Sequence, residues 1–169
     1  MIGNSSKGRA GRRGLVVAGV FAAAMVAASS LASAGECPAD KVVADGQGQK
    51  QGVTKPKGVT DTVLASIDLA HEIEGLDGRK LRTRELVIQP DGVVPSHSHA
   101  DRPAIIYVLQ GTVVEYSSQC AVPIVHKAGE VSREENGVTH WWKNEGKQVV
   151  KLLSSDIFHD QPGADAHMM

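Results

Sequence analysis

From Asp61 onward apolar and polar side chains change places at nearly every step: Val63, Ala65, Ile67 and Leu69 alternate with Thr62, Leu64, Ser66 and Asp68. A period of two puts successive side chains on opposite faces, which predicts a half-buried β-strand. Asp77-Gly78 is a turn signal ahead of a second strand over 81–89, and Pro90-Asp91-Gly92 is another ahead of 93–99. Further strands are predicted over 104–110, 112–116, 122–126, 138–143 and 149–158. Between them stand Gln110-Gly111, Ala128-Gly129-Glu130 and Asn144-Glu145-Gly146-Lys147. Short strands recurring at this interval, with glycine-bearing turns, indicate an all-β sandwich or barrel over residues 61–158. Residues 35–60 read instead as a flexible polar arm, because the stretch from Asp45 to Gly52 is glycine, glutamine and lysine with nothing to bury. Residues 159–169 lack a pattern and read as a loose tail.

The N-terminus has a different character. Lys7, Arg9, Arg12 and Arg13 precede an apolar run over 15–28, and Ala32-Ser33-Ala34 follows as a small-residue cleavage pattern. The run falls short of the ~20 residues that span a bilayer. Residues 1–34 are therefore expected to be a cleavable signal peptide, leaving no membrane anchor and a periplasmic or secreted protein. A Sec signal is favoured, and the Arg12-Arg13 pair leaves twin-arginine export open. Without that segment the chain carries 14 basic against 19 acidic side chains, a net charge of −5. No basic patch survives, so nucleic acid is not expected as a partner. The remaining length suits one domain with one core. Cys37 and Cys120 are the only cysteines. In an exported protein they read as one disulfide stapling the arm to the barrel wall, and a thiolate metal ligand is the rival reading.

Chemistry concentrates at His97-Ser98-His99 and at His140. On a strand, Val93, Pro95, His97 and His99 share a face, as do His140 and Trp142 on theirs. Two neutral imidazoles from one strand and a third from another make a facial metal site. The flanking residues carry a resemblance. Gly92, His97, His99 and Gly111, then Gly129, Gly137, His140 and Asn144, follow the two motifs of the cupin superfamily. Two departures stand out: Glu135 occupies the usual proline position, and Ala104 occupies the position of the usual glutamate ligand. The resemblance implies a double-stranded β-helix, or jelly-roll barrel, with His97, His99 and His140 holding one divalent transition metal (Fe, Mn, Ni, Cu or Zn). It also implies a small-molecule substrate or ligand, and a homodimer formed through sheet edges.

Ala104 has no donor atom, so three neutral ligands would leave the ion's charge unbalanced and favour an anionic or bidentate substrate. Asp101 and Glu115 are the alternative carboxylates. Ala104 and Trp142 are expected to line the pocket, with Tyr107 on the outer face. His71 and His126 read as surface or otherwise satisfied residues, His159 and His167 as tail residues, and Arg133-Glu134-Glu135 as a solvated turn. The expected activity is a metal-dependent dioxygenase or related oxidoreductase acting on a small organic molecule. The alternatives are a non-catalytic periplasmic module that captures a small ligand or metal, and a metal-free isomerase-like barrel.

Overall fold

The computed structural model describes residues 35–159, together with Met1 and Gly3. The rest of the expected signal segment, and the tail beyond His159 with His167, lie outside the described residues. Every strand among the described residues lies between Lys57 and His159.

Among the described residues eight strands follow the period-two pattern: β1 (Lys57–Asp68), β2 (Arg79–Ser98), β3 (Ala104–Gln110), β4 (Thr112–Ser117), β5 (Ile124–Lys127), β6 (Val131–Glu134), β7 (Thr139–Lys143) and β8 (Val150–His159). All pair antiparallel in the order β5-β4-β7-β2-β8-β3-β6, and β1 lies along β2. The result is an all-β, nearly closed jelly-roll barrel. Among the described residues no helix is long and apolar enough to cross a membrane.

β2 is the organising strand. Its first part pairs with β8 from Arg79↔His159 to Ile88↔Val150, and its last part pairs with β7 from Val93 to Ser98. The turn expected at 90–92 is thus a bend inside one 20-residue strand. Asp91 takes φ 59° there. Asn144, fully buried, holds the bend from the far side: its Nδ2 donates to the carbonyls of Ile88 (3.0 Å) and Gln148 (2.7 Å). The backbones of Asn144 and Gly92 also bond at 3.0 Å. A Cβ on Gly92 would stand 2.7 Å from the carbonyl oxygen of Gln89, so close backbone approach requires glycine. These contacts give Gly92 and Asn144 of the two motifs a structural role.

The inward faces change character along the barrel. Leu86, Ile88, Ile106, Val108, Val113, Trp142, Val150 and Leu152 form the apolar core. Further along the same inward faces of β2 and β8 come Arg84 and Arg82, then Ser154 and Asp156. There Arg82 grips Asp156 through Nε (3.1 Å) and Nη2 (2.9 Å), while Arg84 pairs with Asp61 and Ser154.

Two expectations about the elements change. The face of β1 expected to be half-buried is exposed, with Val63 at 47 % and Ile67 at 50 %; only Leu69, past the strand's end, is buried. β1 pairs with β2 alone, with a register shift between Val63 and Ala65. Conversely, Arg133-Glu134, expected as part of a solvated turn, belongs to β6, which pairs with β3.

The segment before β1 lies against the barrel wall. Cys37 and Cys120 form a disulfide with Cα atoms 5.8 Å apart. Gly48 and Gln49 donate to the carbonyls of Ser118 and Ser117 at 2.9 and 2.8 Å. Trp141 donates to the carbonyl of Lys50 (3.0 Å) and stacks on Tyr116. A Cβ on Gly52 would stand 2.4 Å from the Trp141 ring, so the arm's glycines permit close apposition.

Candidate metal centre

β2 and β7 bring the histidines together, with His97 directly opposite His140. Between Val94 and His97 the ladder shifts, because three steps on β2 answer two on β7. That β-bulge re-aims the strand. Val94, rather than the Val93 expected from simple alternation, therefore lines the cavity with the histidines. The three ring centroids form a near-equilateral triangle with sides of 4.9, 4.7 and 4.9 Å.

Each imidazole is held by its Nδ1. His97 Nδ1 lies 2.8 Å from the carbonyl of Pro95, and His99 Nδ1 2.6 Å from that of Arg102. A carbonyl only accepts, so both Nδ1 atoms carry the proton and both Nε2 atoms keep a lone pair. His140 Nδ1 lies 2.9 Å from Glu115 Oε1. Burial opposes the charge on Glu115, but the bonds from His126 and His140 outweigh it and hold this carboxyl at about 2. Glu115 therefore accepts from His140 Nδ1, which also lies 3.1 Å from Trp142 Nε1.

The three Nε2 atoms converge. His97 Nε2 and His140 Nε2 are 3.2 Å apart, and the buried Nε2 of His99 has no hydrogen-bond partner. Two nitrogens bound to one ion at ~2.1 Å would stand roughly 3.0–3.4 Å apart. Burial, followed by the nearby His140, lowers His97 to about 2 and His99 to about 3, so both are neutral donors at ordinary pH. In His140, burial is opposed and outweighed by Glu134 and Glu115, and its pKa is raised. Three converging Nε2 atoms on anchored rings, that of His99 buried without a partner, fit a divalent transition metal.

Behind His140 stand two buried carboxylates, Glu115 on β4 and Glu134 on β6. Glu134 Oε2 is 3.1 Å from His140 Nδ1, and its Oε1 accepts from Ser132 at 2.7 Å. Burial is the main cause that raises Glu134 to about 7, with the charge of Glu115 adding to it. Glu115, His140 and Glu134 form a second group whose atoms could share a cation. On the lone-pair side, Arg84, Ile106, Trp142 and Leu152 wall a cavity with about 30 Å³ of space for water-sized groups.

The remaining sequence-derived candidates fall as follows. Ala104 is buried in the core and offers no donor. Trp142 lines the cavity, and Trp141 faces outward. Asp101 is exposed and engaged by Arg79 (2.6 Å) and His159 (2.9 Å), so it does not stand in for the missing glutamate. Glu115 faces Nδ1 of His140, the side away from the converging lone pairs. His126 is fully buried and donates to Glu115 at 2.8 Å, while His71 and Tyr107 are exposed. Glu134 was missed because polar residues occupy both parities of its strand, Ser132 and Glu134 inward and Arg133 outward. Its only sequence signal is a short segment between the corner at Gly129 and the turn at Gly137.

Residues 84–156 match the family model of the cupin domain, Cupin_2. Germin-like protein subfamily 3 member 1 of Arabidopsis thaliana is 32% identical over 107 residues, which is 60% of this chain and 51% of that protein. Germin-like protein subfamily 2 member 2 of the same plant is 26% identical over 110 residues, 62% and 50% of the two chains. The chain thus spans about half the length of the curated relatives it matches. A solved structure from Thermotoga maritima, described as a predicted oxalate decarboxylase, superposes with a TM-score of 0.51. It has 20% identity and covers 73% of this chain and 98% of that one, a likeness of fold.

Proposed function

Because residues 84–156 are a domain of the cupin superfamily, we propose that this protein is an exported, metal-dependent oxidoreductase of dioxygenase type. His97, His99 and His140 hold one divalent transition metal, and the substrate is a small chelating organic anion. The observation that carries this reading is the convergence of three Nε2 atoms whose Nδ1 partners are all engaged. When bound, such an ion supplies Lewis acidity and, if redox-active, electron transfer.

The chain's own residues provide the setting. Pro95, Arg102 and Glu115 set the tautomer and tilt of the rings. Val94, Ile106, Trp142 and Leu152 exclude bulk water and strengthen electrostatic interactions inside. Arg84 lines the same cavity, and among the described residues Arg84 lies against Asp61 and Asp156, with Arg102 nearby. A guanidinium in the cavity wall supports an anionic substrate. The Cys37–Cys120 disulfide supports export to an oxidising compartment. The exposed apolar positions of β1, among them Leu64 at 56 %, support the homodimer reading, which light scattering tests.

The small cavity supports a second reading, non-catalytic capture of a metal or small ligand. Anaerobic purification with elemental analysis, then oxygen-uptake screening of metal-loaded protein, separates the two. Stoichiometric metal that is lost in His97→Ala, with turnover of a chelating acid or diketone, is the expected result. Metal binding without turnover across the screen selects capture, and absence of metal from folded protein removes both.

A further inference from the structure

Glu134 sits directly across the β3–β6 ladder from Ala104, and both side chains are buried. The strand position that would carry a carboxylate ligand is empty of donors, and its immediate cross-strand neighbour carries a carboxylate instead. Glu134 does not face the converging lone pairs. It lies with Glu115 against Nδ1 of His140, at 3.1 and 2.9 Å, in a region where each of the three residues is buried. Two buried carboxylates against one ring edge repel each other and are desolvated, a costly arrangement unless a positive charge lies nearby. Three neutral imidazoles around a dipositive ion have the opposite deficit.

Resting on the three-histidine metal reading, we propose that Glu115 and Glu134 are a paired counter-charge for that ion, acting through the His140 ring as positioning residues rather than as ligands. Between them they place carboxylates one imidazole away from the ion. They draw on the Nδ1 proton and make Nε2 of His140 a stronger donor than those of His97 and His99, whose Nδ1 partners are neutral carbonyls. The negative charge has moved from the first ring of atoms around the metal to a second. The cavity that Arg84 lines, on the Nε2 side of the rings, is then left to the substrate.

Cobalt(II) affinity, measured by competition with a chromophoric chelator at fixed pH and salt, tests this on metal-free protein. Glutamine keeps the shape and an acceptor oxygen while removing the charge. Glu115→Gln and Glu134→Gln should each weaken cobalt binding by ~10–100-fold. Glu134→Asp should retain most of it, and adding Ala104→Glu to Glu134→Gln should recover it. Affinities within threefold of wild type in both glutamine variants, with binding abolished in His97→Ala, overturn the counter-charge while leaving the three-histidine site standing. No binding by wild type, or unchanged binding by His97→Ala, overturns both. Zinc-loaded wild type gives a second reading that needs no variant. The Nδ1 proton of His140 should resonate well downfield of those of His97 and His99, and three similar shifts would count as refutation.

Discussion

At the scale of single residues, the Nδ1 partners determine what the histidines can do. A bare His-x-His establishes spacing, not protonation. Here Pro95 and Arg102 contribute only carbonyls to it, and burial then removes the option of a charged ring. This has a consequence for acid stability with a definite sign. In the unfolded chain His97 and His99 take up protons below about pH 6.5, whereas the folded rings refuse them down to about 2 and 3. Their contribution is therefore intact above pH 6.5 and falls as the pH drops below it, by on the order of 1 kcal/mol per histidine per pH unit. Metal-free His97→Gln/His99→Gln should lose less stability than wild type between pH 6.5 and 4, as urea unfolding would show. His97, His99 and His140 were legible from their spacing together with the glycines and the asparagine that flank them. Glu134 was not, because a carboxylate in a short polar segment looks the same whether it faces solvent or an imidazole.

At the scale of elements, the pattern of alternation located most strands, and its exceptions mark where strands answer to more than one neighbour. Residues 90–92 carry a turn's composition, yet pairing of β2 with β8 on one side of them and with β7 on the other makes them a bend. Asn144 ties that bend to the loop after β7. Asn144→Ala would leave the carbonyls of Ile88 and Gln148 without their donor in a buried place, at a cost of about 1–3 kcal/mol. Denaturant titration should show that loss, together with a weaker metal affinity because His97 lies on the strand the bend directs and His99 just past its end. β1 shows the converse limit. Its alternation is clear, but periodicity reports which residues share a face and not whether anything covers it, and Val63 and Ile67 remain exposed.

At the scale of the whole molecule, the segment before β1 is joined to the barrel through a link 83 residues long in sequence. Removing the disulfide in Cys37→Ser/Cys120→Ser should lower unfolding free energy by ~2–4 kcal/mol, with the midpoint of the wild type shifting alike under reductant. A red shift of Trp141 emission would report the arm leaving the wall, since Lys50 holds that indole. The sequence alone determined the all-β class through local periodicity, and it pointed to one pairing of the two cysteines and to three histidines through residue chemistry and the flanking motif residues. Only the tertiary structure decided that β6 exists as a strand, that β1 stays uncovered, and that Glu115 and Glu134 meet behind His140. Those outcomes depend on which strands become neighbours, and on a one-residue bulge that turns a face. Both are settled by the closure of the barrel rather than by any single segment.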